Sequence, residues 1–165
     1  MILIKSEAEV EKIGAAGKIV YRALQAMKAA IVPDVSTTFD LERAAMSVIT
    51  AAGAESAFLG YAPHGLPPYP AATCISVNEE VVHGIPGRRV LRSGDIVSCD
   101  VGVKFNGYFG DSAWTFVVGE VSPLAQKLLR VTEECLHRGI SKMKPGRRLG
   151  DVGNAVERHA RQNGF

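Results

Sequence analysis

The dipeptide Asn106-Gly107 lies between two apolar runs, and no other feature constrains this chain as tightly. Asn-Gly favours the two-residue turn whose backbone twist matches that of paired strands. Residues 95–118 therefore read as a β-hairpin. A two-residue turn also sets the register. It places Phe105 opposite Tyr108, Val103 opposite Gly110, Gly102 opposite Asp111 and Asp100 opposite Ala113. Side chains alternate along a strand, so Asp100 and Gly102 share a face, and Asp111 joins them. The two carboxylates become diagonal neighbours, about 7–8 Å apart at the backbone. A single β-bulge would break this arrangement.

Carboxylates seldom sit in apolar strands unless they are paired or bind a cation. The plainer alternative is a turn-flanking Asp and an edge Asp, both in water. Two features weigh against it. Asp100 stands mid-strand between Cys99 and Val101, and Asp111 stands between Gly110 and Ser112, where the backbone can bend toward a ligand. Gly102 is expected to leave space for an ion. Two carboxylates can converge on one ion or bridge two ions about 3.5–4 Å apart. With a histidine added, such oxygen ligands suit Mn²⁺, Fe²⁺, Co²⁺ or Zn²⁺. Alone they would hold Mg²⁺ or Mn²⁺ weakly, because those ions take about six ligands.

Helices flank the hairpin. Ser6 and Glu9 form a capping-box pattern, and Val10, Ile13, Ile19, Val20, Leu24, Met27 and Ile31 recur at helical spacing up to Pro33. A second helix is expected from about residues 37–40 to Gly53. Residues 54–94 are rich in Gly, Pro and aromatics, with Thr73–Val77 as a short strand. Ser122-Pro123 opens a third helix, which stops at Lys144-Pro145-Gly146, and a fourth runs from near Leu149 to Asn163-Gly164. A weak internal repeat links the two halves. Asp40, Ala44 and Gly53 recur 111 residues later as Asp151, Ala155 and Gly164. The chain thus reads as one domain, residues 1–165. Residues 1–120 form a complete helix–helix–sheet unit, and residues 121–165 the helices of an incomplete second one.

The formal net charge of +2 comes from scattered basic residues, which argues against a nucleic-acid partner. No apolar run reaches the roughly 18 residues of a membrane span. The start, Met1-Ile2-Leu3-Ile4-Lys5, lacks the basic and apolar regions of a signal peptide. Three cysteines, Cys74, Cys99 and Cys135, match no CxxC spacing, and Cys99 reads as a buried free thiol. A reducing, cytoplasmic setting fits. His83 ends the apolar run Val81-Val82 before the turn Gly84-Ile85-Pro86-Gly87; residue type alone leaves it open between a plain histidine and a functional one. His64 lies in a Pro/Gly loop, and His137 and His159 sit on helices, where solvent or packing explains them. GxSxG, HExxH and a phosphate-binding glycine loop are absent.

Three linked segments resemble the type I methionine aminopeptidases. They are Phe58-Leu59-Gly60-Tyr61 with Tyr69-Pro70-Ala71-Ala72-Thr73-Cys74-Ile75-Ser76-Val77-Asn78-Glu79-Glu80-Val81-Val82-His83-Gly84-Ile85-Pro86, then Asp95-Ile96-Val97-Ser98-Cys99-Asp100-Val101-Gly102, then Gly107-Tyr108-Phe109-Gly110-Asp111-Ser112-Ala113. The resemblance covers the whole chain. It implies an α+β pita-bread fold of two pseudo-symmetric helix–helix–sheet halves, with two divalent metal ions between them (Co, Mn, Fe or Zn). It implies hydrolytic removal of the N-terminal initiator methionine from nascent proteins through metal-activated water. Asp100 should bind one metal and Asp111 bridge both, while His83 should hydrogen-bond the substrate or the tetrahedral intermediate. Phe58, Tyr61, Tyr69 and Cys74 should line the methionine pocket, an apolar site with a soft sulfur neighbour.

The resemblance also marks departures. The family carries a metal-binding His, two metal-binding Glu and a second catalytic His beyond the position matching Phe165. The isolated 165-residue chain is therefore expected to be inactive, or active only through self-association or a complementing C-terminal fragment. A non-catalytic binding module is the alternative reading. Residues 62–68, Ala-Pro-His-Gly-Leu-Pro-Pro, are longer than the family pattern and should alter the pocket.

Overall fold

Residues 3–165 are described by a computed structural model; Met1 and Ile2, which begin the segment read above against a signal peptide, lie outside the described residues. The chain divides into two compact units between Glu120 and Val121.

In the first unit, α1 (Glu7–Ala29) starts at the expected capping box: Ser6 accepts from the Glu9 N–H, and the Glu9 carboxylate accepts from the Ser6 N–H at 2.8 Å. α2 (Thr38–Ala51) repeats the device with Thr37 and Asp40. These reciprocal bonds satisfy amides that have no partner within the helix. Ala16, Ile19, Val20, Ala23, Leu24 and Met27 of α1 form one buried stripe, which meets Leu41, Ala45 and Ile49 of α2. Val10 departs from the expected stripe and is exposed. The first turns of α1 instead make polar contacts with the hairpin: Tyr108 donates to Glu9, and Lys12 stands over the Tyr108 ring.

The sheet has four strands: β1 (Glu55–Ser56), β2 (Thr73–Val77), β3 (Ile96–Phe105) and β4 (Tyr108–Val117). β4 pairs with the whole of β3, without a bulge and in the register that Asn106-Gly107 dictates. β2 and the short β1, which the sequence did not reveal, share the other edge of β3. Val97, Cys99, Val101 and Val103 are fully buried on one face, in the same core as the two helices. Cys99 is a free thiol there, and burial pushes it up to about 12.

Gly110 is part of this packing. A Cβ at residue 110 would lie 2.7 Å from the carbonyl carbon of Ala16 and the nitrogen of Gly17. The glycine lets β4 approach the α1 backbone. It does not bend Asp111 toward a ligand, as the sequence had suggested, because the strand pairs through it regularly.

In the second unit, Ser122 caps α3 (Pro123–Lys142), accepting from the Ala125 N–H. α4 (Leu149–Gln162) begins where the Asp151 carboxylate accepts from the Arg148 N–H at 2.9 Å. α4 has the length of α2, and each of its ends lies 111 residues after that of α2. Asp40 and Asp151 thus do the same capping work. Gly139 lets Val152 and Val156 close on α3, and the buried His159 meets Glu134 at 2.6 Å. That bond, with Arg130 beside it, holds the Glu134 carboxyl below its usual range. His159 thus has a packing role, as expected.

Two glycines should respond in opposite directions. Gly110→Ala should destabilise the chain by about 1–3 kcal/mol, because the new methyl meets backbone that cannot yield. Gly14→Ala, on the exposed side of α1 with open space around it, should stabilise by about 0.5–1 kcal/mol. Urea unfolding of both variants measures this; equal midpoints would contradict the packing described for Gly110.

Candidate metal centre

The face of the sheet turned away from the helices carries the candidate site. β2 places Cys74 directly opposite Asp100 on β3, and β4 places Ala113 on the other side of Asp100. One position along, Gly102 stands opposite Asp111. Asp100 and Asp111 are therefore on one face and diagonal to each other, as the turn predicts.

The charge of Asp111 bears on Asp100. Asp100 is half-buried, and loss of water raises its pKa; the negative charge of Asp111 raises it further, while His83 acts in the opposite direction. Asp111 belongs to an exposed residue, yet partial desolvation of its carboxyl raises its pKa too. No hydrogen bond contributes to either shift. Elsewhere in the chain the opposite holds: hydrogen bonds from Thr37 lower the Asp40 carboxyl. Two carboxylates whose ionisation is disfavoured by lost water, and for Asp100 also by the charge of Asp111, form a place where a cation relieves both costs.

The apolar side of the site comes from residues 57–72, which leave the sheet between β1 and β2. Ser56 Oγ closes the neck of this excursion by donating to the Ala72 carbonyl at 2.9 Å, and it accepts from the Phe58 N–H. The Phe58 ring lies over Gly102: a Cβ at residue 102 would come within 2.5 Å of the ring. This corrects the expectation that Gly102 leaves room for metal. The missing side chain makes room for an aromatic wall beside the carboxylates.

Tyr69 is half-buried, and burial raises its phenol pKa, as does the neighbouring Cys74. The thiol of Cys74 is raised by burial and by the nearby Asp100 and Asp111 charges. Phe58, Tyr69 and Cys74 thus gather with the two aspartates. Tyr61 is 63% exposed, and only its backbone joins the group, through bonds between Gly60, Tyr61 and Tyr69. Those bonds close the 62–68 segment into a separate loop with a 3-10 turn at Pro63–Gly65.

His83 is exposed and has a positive φ of 63°. Its segment is tied at both ends. Gly84 bonds to β2, and Gly87 and Arg89 accept from the first amides of α2. Sequence reasoning missed Glu42. This buried carboxylate on α2 accepts from the Ala72 N–H at 2.7 Å and from the Thr73 hydroxyl, fixing the start of β2. Its signal was a charged residue within the stripe of Leu41, Ala45 and Ile49.

Among the described residues, no group of three or more His, Cys, Asp or Glu side chains is placed to hold a metal. The pair fits a divalent ion in donor chemistry, since both groups are hard oxygen ligands, but two carboxylates are only part of a six-fold set.

Residues 11–165 match the model of metallopeptidase family M24. The chain belongs to that family. It is 44% identical over 165 residues to methionine aminopeptidase 1 of Bacillus subtilis and 45% identical to the methionine aminopeptidase of Aquifex aeolicus. It covers 100% and 99% of itself in these matches and 64% of each relative, so it spans about two-thirds of their length. The crystal structure of methionine aminopeptidase from Thermotoga maritima superposes with a TM-score of 0.92 at 42% identity, covering 99% of this chain and 64% of that one. Prolidase from Pyrococcus furiosus, at 21% identity and a TM-score of 0.82, shares the fold alone. The fold is the α+β pita-bread fold of these M24 proteins.

The raised carboxyls imply a pH dependence. The native chain holds their protons more tightly than the unfolded chain does. Stability from this source is present below the ordinary carboxylate range and is lost as pH rises through the raised native values. With chelator present, Asp111→Asn should therefore melt higher than the parent at about pH 7, with the gap closing toward about pH 3. Thermal melts across that range test it; a parent at least as stable as the variant at neutral pH would contradict it.

Proposed function

We propose that this chain carries part of the active site of a metal-dependent aminopeptidase that removes N-terminal methionine from peptides and nascent proteins. The observation that carries the reading is the convergence of Asp100 and Asp111 on one sheet face beside Phe58, Tyr69 and Cys74. The similarity to methionine aminopeptidases over the whole chain supports it.

In this reading Asp100 and Asp111 hold divalent ions. Once bound, such ions supply Lewis acidity to the scissile carbonyl. Asp100 is held in mid-strand with paired neighbours on both sides, so its backbone is fixed before any ligand arrives. Phe58, Tyr69 and Cys74 form an apolar wall that accepts a thioether side chain and excludes water from it. His83 presents a ring nitrogen that donates to oxygen as negative charge develops there during hydrolysis. Tyr61 joins the wall through its backbone bond to Tyr69, which places it at the pocket's edge in this reading. The three free thiols agree with a cytoplasmic setting, and no described helix is long and apolar enough to cross a membrane.

The test is methionine release from a Met-Ala-Ser peptide by the protein as expressed from its gene, with Mn²⁺ or Co²⁺ added. Asp111→Ala should lower the rate by at least about a hundredfold. Metal-independent release, or full activity in the variant, would overturn the assignment of the aspartates.

A further inference from the structure

His83 sits in a backbone conformation that residues with a side chain seldom adopt, with φ at 63°. Such conformations persist where the surroundings over-determine them. Here the fixed point is the next residue, Gly84. Its carbonyl accepts from the Ile75 N–H of β2 at 2.8 Å, and its own N–H donates to Ser76 Oγ at 3.1 Å. The Tyr69 hydroxyl lies 3.1 Å from the same carbonyl and 3.2 Å from the Thr73 carbonyl. A Cβ at residue 84 would lie 2.2 Å from the Ile75 oxygen, so only glycine fits against the strand. Ser76 is buried at 3% exposure, on the same strand as Cys74.

We propose that Tyr69 and Ser76 are positioning residues for His83, acting through Gly84. The proposal rests on the reading of His83 as the donor to the reacting carbonyl. Ser76 holds the N–H of the peptide that joins His83 to Gly84, and Tyr69, with the Ile75 N–H, holds the carbonyl of the next peptide, so Gly84 is fixed to β2 on both sides. His83 is thereby kept in its left-handed conformation. The Tyr69 hydroxyl thus bridges the start of β2 at Thr73 and the His83 segment at Gly84. A tyrosine that only lined a pocket would not need its hydroxyl between two backbone carbonyls.

The experiment combines a spectroscopic and a kinetic readout on the protein as expressed from its gene, for Ser76→Ala, Tyr69→Phe and the control Tyr108→Phe. With ¹³C-labelled histidine, the His83 ring resonance should shift or broaden in the first two variants and stay in place in the control. The amide resonances of Cys99 and Val101 should not move. In Ser76→Ala, kcat should fall about ten- to a hundredfold, the scale of a small misplacement, with KM changed by less than about twofold. An unmoved His83 resonance in both variants overturns the proposal. So does a displacement of the sheet amides together with the ring, which marks a structural role, or a rise in KM at constant kcat. If His83→Ala keeps full kcat while the ring still responds to Ser76→Ala, the positioning stands and the role given to His83 fails.

Discussion

The pairing of β3 with β4 is the constraint on which the site depends. Ten residues of each strand pair without interruption, from Ile96 with Val117 to Phe105 with Tyr108. Side chains alternate along a strand, so a slip of one residue would send Asp111 to the helix-packed face and Gly110 to the site face. Both would be costly. Asp111 would enter a space bounded by the backbone of Ala16 and Gly17, and the apolar row of Val97, Cys99, Val101 and Val103 would lose its matched partners. The packing that stabilises the first unit is therefore what sets the two carboxylates beside each other.

The rest of the site is arranged around that fixed pair. Glu42 reaches from α2 to fix the start of β2, which brings Cys74 opposite Asp100. Ser56 closes the excursion that lays Phe58 over Gly102. α2 also ties down the segment after His83, through Gly87 and Arg89. The segments carrying Phe58, Cys74 and His83 thus hang on backbone anchors. Among the described residues neither carboxylate has a hydrogen bond contributing to its shift, and the charge of Asp111 opposes ionisation of Asp100 until a cation arrives.

The elements with local signals were legible in the sequence. The Asn106-Gly107 turn carried the whole hairpin, its register and the shared face of Asp100 and Asp111, because a two-residue turn leaves no freedom of register. Capping residues marked the starts of α1, α2 and α3. What stayed hidden depends on contacts distant in sequence. β1 is two residues long, too short to show alternation. Gly102 looked like room for an ion because nothing local says that the Phe58 ring fills it. Glu42 looked like an ordinary helical charge, since its partners lie 30 and 31 residues away. Val10 fitted the helical stripe by spacing alone, yet the part of α1 it belongs to meets the polar end of the hairpin.

The central claim is that Asp100 and Asp111 act together as a cation-binding pair on this sheet face. Paramagnetic broadening by Mn²⁺ tests it most directly, through amide resonances of the isotopically labelled chain. The account predicts that Mn²⁺ broadens the signals of Cys74, Gly102 and Ala113 first, and that either Asp100→Asn or Asp111→Asn abolishes the effect. Broadening centred elsewhere, such as on Glu134 and His159, or broadening that survives both substitutions, would contradict it.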